Sequence, residues 1–294
     1  MNVTKNTIRP PKRVLVIQDL SCFGRCATTV VSPVLSAMGV QVIPVPTALL
    51  STHTGGFTDL YFKDLSEDME RISDHFERLG LKFDAIYTGF LGSERQIDIV
   101  LDFIKKFSNE DTIIFVDPVM GDDGVLYSTY DDMLCRRMRE LCSVADMITP
   151  NLTEACFLSD TPYTDTSAMS EAEAKAFADS LCEKLSAITS GKMVITGIEH
   201  SDNMLGTYGN TKDGSDEAGI YSVRRVSRSY PGTGDLFASV LLGSLLRGDA
   251  ECEAIRFASD YIRRVMEYSS QIDTPEREGV AFECFMVELC ERGR

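Results

Sequence analysis

The stretch SYPGTGDLFASVLLGSLLRG, Ser229 to Gly248, sets one carboxylate, Asp235, directly after Gly232-Thr233-Gly234. A run that is apolar on nearly every helical face follows it. Glycines let backbone N–H groups converge on an anion with no Cβ in the way. The helix behind them points its positive end at the same place. Asp235 is no ligand for that anion, since like charges repel. It is suited to take a proton from a hydroxyl held beside the anion, which is what phosphoryl transfer to an alcohol needs. The same residues also read as a Gly turn with an Asp in the first helical turn. So short a motif leaves both readings open.

Two further groups of acids could serve such chemistry. In VDPVMGDDG, Asp117 ends a buried strand, and Asp122 and Asp123 follow in a Gly-flanked loop. A carboxylate at a strand end can hold Mg²⁺ that keeps several waters; an Asp-rich surface turn is the equal alternative. In TPNLTEACFL, Asn151 and Glu154 stand three apart at the start of a helix. They read either as N-cap and capping-box partner or as a rim where Glu154 shares a hydrated Mg²⁺ with Asp117.

Other chemistries find no support. There is no G-x-x-x-x-G-K-[ST], no G-x-G-x-x-G after the first strand and no H-E-x-x-H. His53, His75 and His200 are scattered, and His75 reads as helix surface. Arg224, Arg225 and Arg228, set among apolar residues of an expected strand, read as its solvated side, with one of them near the nucleotide phosphates as the alternative that no motif supports. The formal charge of -16, from 29 basic and 45 acidic residues, argues against nucleic acid or an anionic membrane as partner. Nine cysteines, with no C-x-x-C, and a polar opening MNVTKNTIRPPKR lead to the expectation of a reduced, cytoplasmic protein.

The elements that must position these residues alternate. Strands are expected at Arg13–Gln18, Val40–Pro46, and within Phe83–Ser93, Asp111–Gly124, Ala145–Asn151 and Lys192–Gly197, with helical patterns between them. Such alternation implies an α/β fold, a mostly parallel sheet covered on both faces. Ligands then sit outside the carboxyl ends of the strands. Asp19, Gly89, Asp117, Asn151 and Gly197 should gather along that rim. MLGTYGN and GIYSVRRVSRSY read as antiparallel edge strands around a turn at TKDGSDEAG. A central helix follows Asp235, and a second runs from about Asp249 to Ser270 with Ile255, Ala258, Ile262 and Val265 on one stripe. Val280 to Leu289 reads as a last amphipathic helix. Residues 1–12 are expected to be disordered or extended, and 13–294 to form a single domain.

In this order the pieces resemble the ribokinase-like superfamily, and within it the vitamin B6 kinases. The resemblance runs from about Arg13 to Ser270 and is carried by VLVIQDLSCFGR, LLSTHTGGF, YTGFLGSERQ, VDPVMGDDGVLY, ITPNLTEACFL, VITG and PGTGDLFASVLL. It implies a three-layer α/β/α fold with no separate lid domain. It implies ATP-dependent phosphorylation of the 5′-hydroxymethyl group of a B6 vitamer, feeding pyridoxal 5′-phosphate salvage. Asp235 would be the base, and Gly232, Thr233 and Gly234 the anion hole. Asn151, Thr196 and Gly197 would meet the ATP phosphates, and Asp122 to Tyr127 would cover the site. Asp117 and Glu154 would stand near Mg²⁺. The resemblance leaves room for a monovalent cation such as K⁺ and suggests a homodimer.

His53, Thr54 and Phe90 match the substrate region, but the chain departs from the family pattern there. Asp19 replaces a common serine, Thr52 an asparagine, and Phe90 a frequent tyrosine. Asp19 as an anion could pair with the pyridinium nitrogen or a protonated amine, which favours pyridoxamine; alternatively it caps the next helix. Hydroxymethylpyrimidine kinase of thiamine synthesis, a sugar kinase, and a non-catalytic vitamin- or nucleotide-binding regulator on the same fold are the competing readings.

Overall fold

A computed structural model describes residues 10–210 and 219–292. Most of the segment 1–12, and the body of the expected turn at 211–218, lie outside the described residues. β1 (Arg13–Phe23) shows why the sheet is central: Val14 and Val16 belong to one apolar cluster and Leu15 and Ile17 to the other. A strand buried on both faces reads as a continuous apolar run.

β1 pairs in parallel with β2 (Gln41–Thr52), whose far end is met by the antiparallel β3 (Phe62–Asp64). On its other side β1 pairs in parallel with β4 (Ala85–Thr88), then β5 (Ile113–Val116). β6 (Gly121–Asp122) and β7 (Val125–Leu126) form a separate hairpin. β8 (Met147–Ile148) and β9 (Lys192–His200) continue the parallel sheet beyond β5. β10 (Met204–Gly209) and β11 (Gly219–Arg224) close it as an antiparallel edge. Among the described residues the order is β11-β10-β9-β8-β5-β4-β1-β2-β3.

One face is covered by α2 (Ser66–Arg78), α3 (Glu94–Phe107), α4 (Asp132–Ser143), α5 (Leu152–Leu158) and α6 (Glu171–Leu185). The other is covered by α1 (Thr28–Ala37), α7 (Thr233–Arg247), α8 (Glu251–Gln271) and α9 (Met286–Arg292). This is the expected three-layer arrangement. α7 is buried from Leu236 to Ser244, as its all-round apolar pattern requires. In α8, Ile255, Ala258 and Val265 are buried, and Ile262 packs half-buried beside them.

Three expectations are corrected. β1 does not stop at Gln18 but runs to Phe23, because β2 extends alongside it as far as Thr52. β9 does not stop at Gly197 but runs to His200 and turns directly into β10. The tail is not one helix: a 3-10 turn, Phe282–Phe285, precedes the short α9. No described helix is long and apolar enough to cross a membrane.

Candidate active site

The strand order reverses around β1: β2 lies on one side, and β4, the next parallel strand, on the other. That reversal opens a crevice at the carboxyl ends of β1 and β4. Asp19 sits there, inside β1, where the pairing with β2 shifts register. It therefore does not cap α1, whose N-cap is Ala27 and takes no side-chain bond. Asp19 is buried, and its Oδ2 accepts from Ser21 Oγ at 2.8 Å. Burial pushes its carboxyl up to about 6, against the pull of Ser21.

Asp235 lies in the first turn of α7, behind Gly232 at φ 77. Its Oδ2 accepts the backbone N–H of Ala27 at 2.7 Å. The N-termini of α1 and α7 thus meet at one carboxylate, and both present positive ends there. Burial pushes Asp235 up to about 7; the Ala27 N–H pulls down, and the Asp19 charge pushes up. Gly232 is required: a Cβ there would stand 2.0 Å from the Arg25 carbonyl oxygen. A Cβ on Gly234 would meet nothing within 4 Å. Thr233 Oγ1 donates to the Tyr230 carbonyl at 3.1 Å and steadies the turn.

At the ends of β5 and β8 the acidic pair comes together. Asn151 and Glu154 form the expected capping box: Glu154 N–H donates to Asn151 Oδ1 at 2.9 Å, and Asn151 N–H to Glu154 Oε2 at 2.8 Å. Glu154 Oε1 also accepts from Met120 N–H at 3.1 Å. Its carboxyl is buried and pushed up to about 8. Asp117 is buried too, and burial, then the charges of Glu154 and Asp235, hold it well above the carboxylate range. Two hard oxygen donors repelling each other in a buried place fit a hydrated divalent cation. Among the described residues no cluster of three or more His, Cys, Asp or Glu side chains forms a protein-only cage. Two carboxylates are a donor set of the kind Mg²⁺ takes, with waters and phosphate oxygens completing its shell.

The segment Asp122 to Tyr127 is an ordered hairpin. Asp123 and Gly124, at φ 48 and 76, make its two-residue turn. Asn151 Nδ2 donates to the Gly121 carbonyl at 2.8 Å, and Gly124 N–H donates to Thr153 Oγ1 at 2.9 Å. The hairpin overhangs a cleft of about 250 Å³ lined by Asp122, Asn151, Gly197, Glu199 and Arg225 among others. Thr196 bridges to Asn151 and donates its N–H to the Pro150 carbonyl at 3.0 Å.

The remaining substrate-region residues sit differently. His53 uses both ring nitrogens inside the protein: Nδ1 accepts from Gly55 N–H at 3.1 Å, so Nε2 donates to the Arg277 carbonyl at 2.7 Å. Thr54 is exposed, and Phe90 is half-buried with its ring edge-on to Tyr130 at 6.3 Å. Sequence reasoning missed Ala27 and Thr153 as parts of this rim, and named Arg225 only as one of three arginines on an expected solvated strand face. Ala27 works through its backbone and carries no signal. The Asp-Gly pair at 123–124 was a legible hairpin signal.

Fold and rim together define an α/β kinase of the ribokinase-like class. The family profile described as phosphomethylpyrimidine kinase matches residues 33–278, and the chain belongs to that family. It is similar to a putative phosphomethylpyrimidine kinase from Bacteroides thetaiotaomicron, crystallised with pyridoxal: 38% identity, TM-score 0.85, covering 95% of this chain and 96% of that one. It is similar to the pyridoxal kinase of Lactobacillus plantarum: 29% identity, TM-score 0.84, covering 96% and 97%. Pyridoxal kinase PdxY of Pasteurella multocida is 28% identical over 287 residues, 92% of this chain and 93% of that protein. The resemblance to vitamin B6 kinases seen in the sequence is borne out.

Proposed function

We propose that this chain transfers the γ-phosphoryl group of ATP to the 5′-hydroxymethyl group of a B6 vitamer, with pyridoxamine favoured. The observation that carries the reading is the Asp235 carboxylate, set where two helix N-termini meet and pushed up to about 7. A base poised near the working pH takes a hydroxyl proton efficiently. The glycine turn and the end of α7 stabilise negative charge on the transferring group. Asn151, Thr196 and Gly197 bind the nucleotide phosphates from the cleft, and the hairpin from Asp122 to Tyr127 excludes water. Asp117 and Glu154 would hold Mg²⁺, which when bound would neutralise phosphate charge.

Buried Asp19 gives the ring a negative partner, which suits a protonated amine better than an aldehyde. His53 shapes the substrate loop through Gly55 and Arg277, leaving Thr54 and Phe90 to meet the ring. The similar putative phosphomethylpyrimidine kinase of Bacteroides thetaiotaomicron, 38% identical, was crystallised with pyridoxal, which supports this substrate class. The description of the matching family favours a second reading, hydroxymethylpyrimidine, which presents the same reacting group on another heteroaromatic ring. Partners are ATP and a small heteroaromatic alcohol, with a cytoplasmic homodimer as the expected setting.

The test is ATP-dependent phosphorylation of pyridoxamine, pyridoxal, pyridoxine and hydroxymethylpyrimidine with Mg²⁺. Turnover of B6 vitamers, pyridoxamine first, is expected. Turnover of hydroxymethylpyrimidine alone would move the chain to the second reading.

A further inference from the structure

The cleft beside Asn151 and Gly197 is acidic for a place that takes a polyphosphate. Asp122, Asp123, Asp165 and Glu199 all line it. Arg225 is the cationic side chain among the lining residues. Its Nε lies 2.7 Å from Glu199 Oε1, and the two side chains are 43% and 35% exposed. An ion pair that open to solvent is weakly held and can part. The Arg225 backbone, in contrast, is fixed: its N–H donates to the Asn203 carbonyl at 2.9 Å, on the turn between β9 and β10. The side chain thus springs from a fixed point of the backbone at the cleft, while its ion-pair partner is exchangeable. Burial, then the charges of Asp123 and Glu199, raise the Asp122 carboxyl, so these acids already repel one another across the cleft. Further negative charge needs a counter-charge there. A guanidinium fork matches phosphate oxygens in pairs.

We infer that Arg225 is a nucleotide-phosphate contact, and that Glu199 holds its guanidinium over the cleft until a polyphosphate displaces it. The inference rests on the kinase reading of the site. It selects Arg225 from three arginines that the sequence placed mainly on a solvated strand face.

The test is ADP binding by calorimetry, with KM for ATP measured alongside. Arg225→Ala should weaken ADP and raise KM for ATP about 10-fold, with kcat and the vitamer KM within about twofold. Arg225→Lys should recover part of the loss. Glu199→Gln should tighten ADP or leave it unchanged, because the guanidinium is released. Arg224→Ala, an exposed neighbour outside the cleft lining, should match the wild type. Unchanged ADP affinity in Arg225→Ala would overturn the inference. So would a Glu199→Gln loss equal to that of Arg225→Ala, which would mark a structural ion pair. A wild-type chain that binds no ADP would instead overturn the kinase reading itself.

Discussion

The Asp235 carboxylate accepts the backbone N–H of Ala27 at 2.7 Å, and so joins the first turn of α7 to the start of α1. Ala27 is held at φ 47 and ψ -137, where a residue with a Cβ is strained. Strain of this kind costs about 1–3 kcal/mol and persists where its surroundings enforce it. Here the enforcing neighbours are visible: Arg25 N–H donates to the Glu278 carbonyl at 3.0 Å, and Gly232 packs against the Arg25 carbonyl. The charge after Gly-Thr-Gly is therefore anchored to a second helix, not left to cap its own.

This anchoring sets the pH dependence. Asp235 acts as base only when ionised, and its carboxyl is pushed up to about 7. Turnover should rise with pH through about 7 and level off above it. The Asp19 charge contributes to that elevation, so Asp19→Asn should move the acid limb to lower pH. Rate profiles of the two proteins test this. A limb that stays in place or moves up would separate Asp19 from the base.

The two glycines should part in their effects. Gly232→Ala puts a Cβ into the Arg25 carbonyl at a positive φ, and should lower both melting temperature and turnover. Gly234→Ala has open space and should melt within about 1 °C of the wild type. It should still lose turnover, since the Cβ crowds the place of the phosphoryl group. Full activity in Gly234→Ala would remove that glycine from the anion hole.

Much of this site was legible in the sequence. Asp235, Asp117 and Glu154 stood at strand ends or a helix start, and the structure links all three electrostatically. Other features were hidden because polar residues disguised continuing strands. Asp19, Leu20 and Ser21 look like a turn, but β2 runs beside them and keeps them in the sheet. Thr196 and Gly197 look like a strand end, yet they form an irregularity in β9, which then continues to His200. The Asp235 partner is a main-chain N–H, which no side-chain pattern reports.

The buried acids also set how stability varies with pH. Asp19, Asp117, Glu154 and Asp235 are all held above their ordinary values. The folded chain therefore binds more protons than the unfolded chain between about pH 4 and pH 8, and stability falls as pH rises through that window. Asp84, Asp160 and Asp179 are shifted the other way and titrate below it. The metal-free protein should melt at a higher temperature at pH 6 than at pH 8. Asp117→Asn should raise the melting temperature at pH 8 by about 2–4 °C and shrink the difference. A lower melting temperature in that variant would contradict the repulsion between Asp117 and Glu154.

The most direct measurement is the turnover of Asp235→Asn with ATP, Mg²⁺ and the best vitamer, beside its ADP affinity. An asparagine can still accept the Ala27 N–H but takes no proton. A drop in kcat of about 10²–10⁴-fold with ADP binding unchanged is the expected result. Turnover at the wild-type rate would show that Asp235 is not the base.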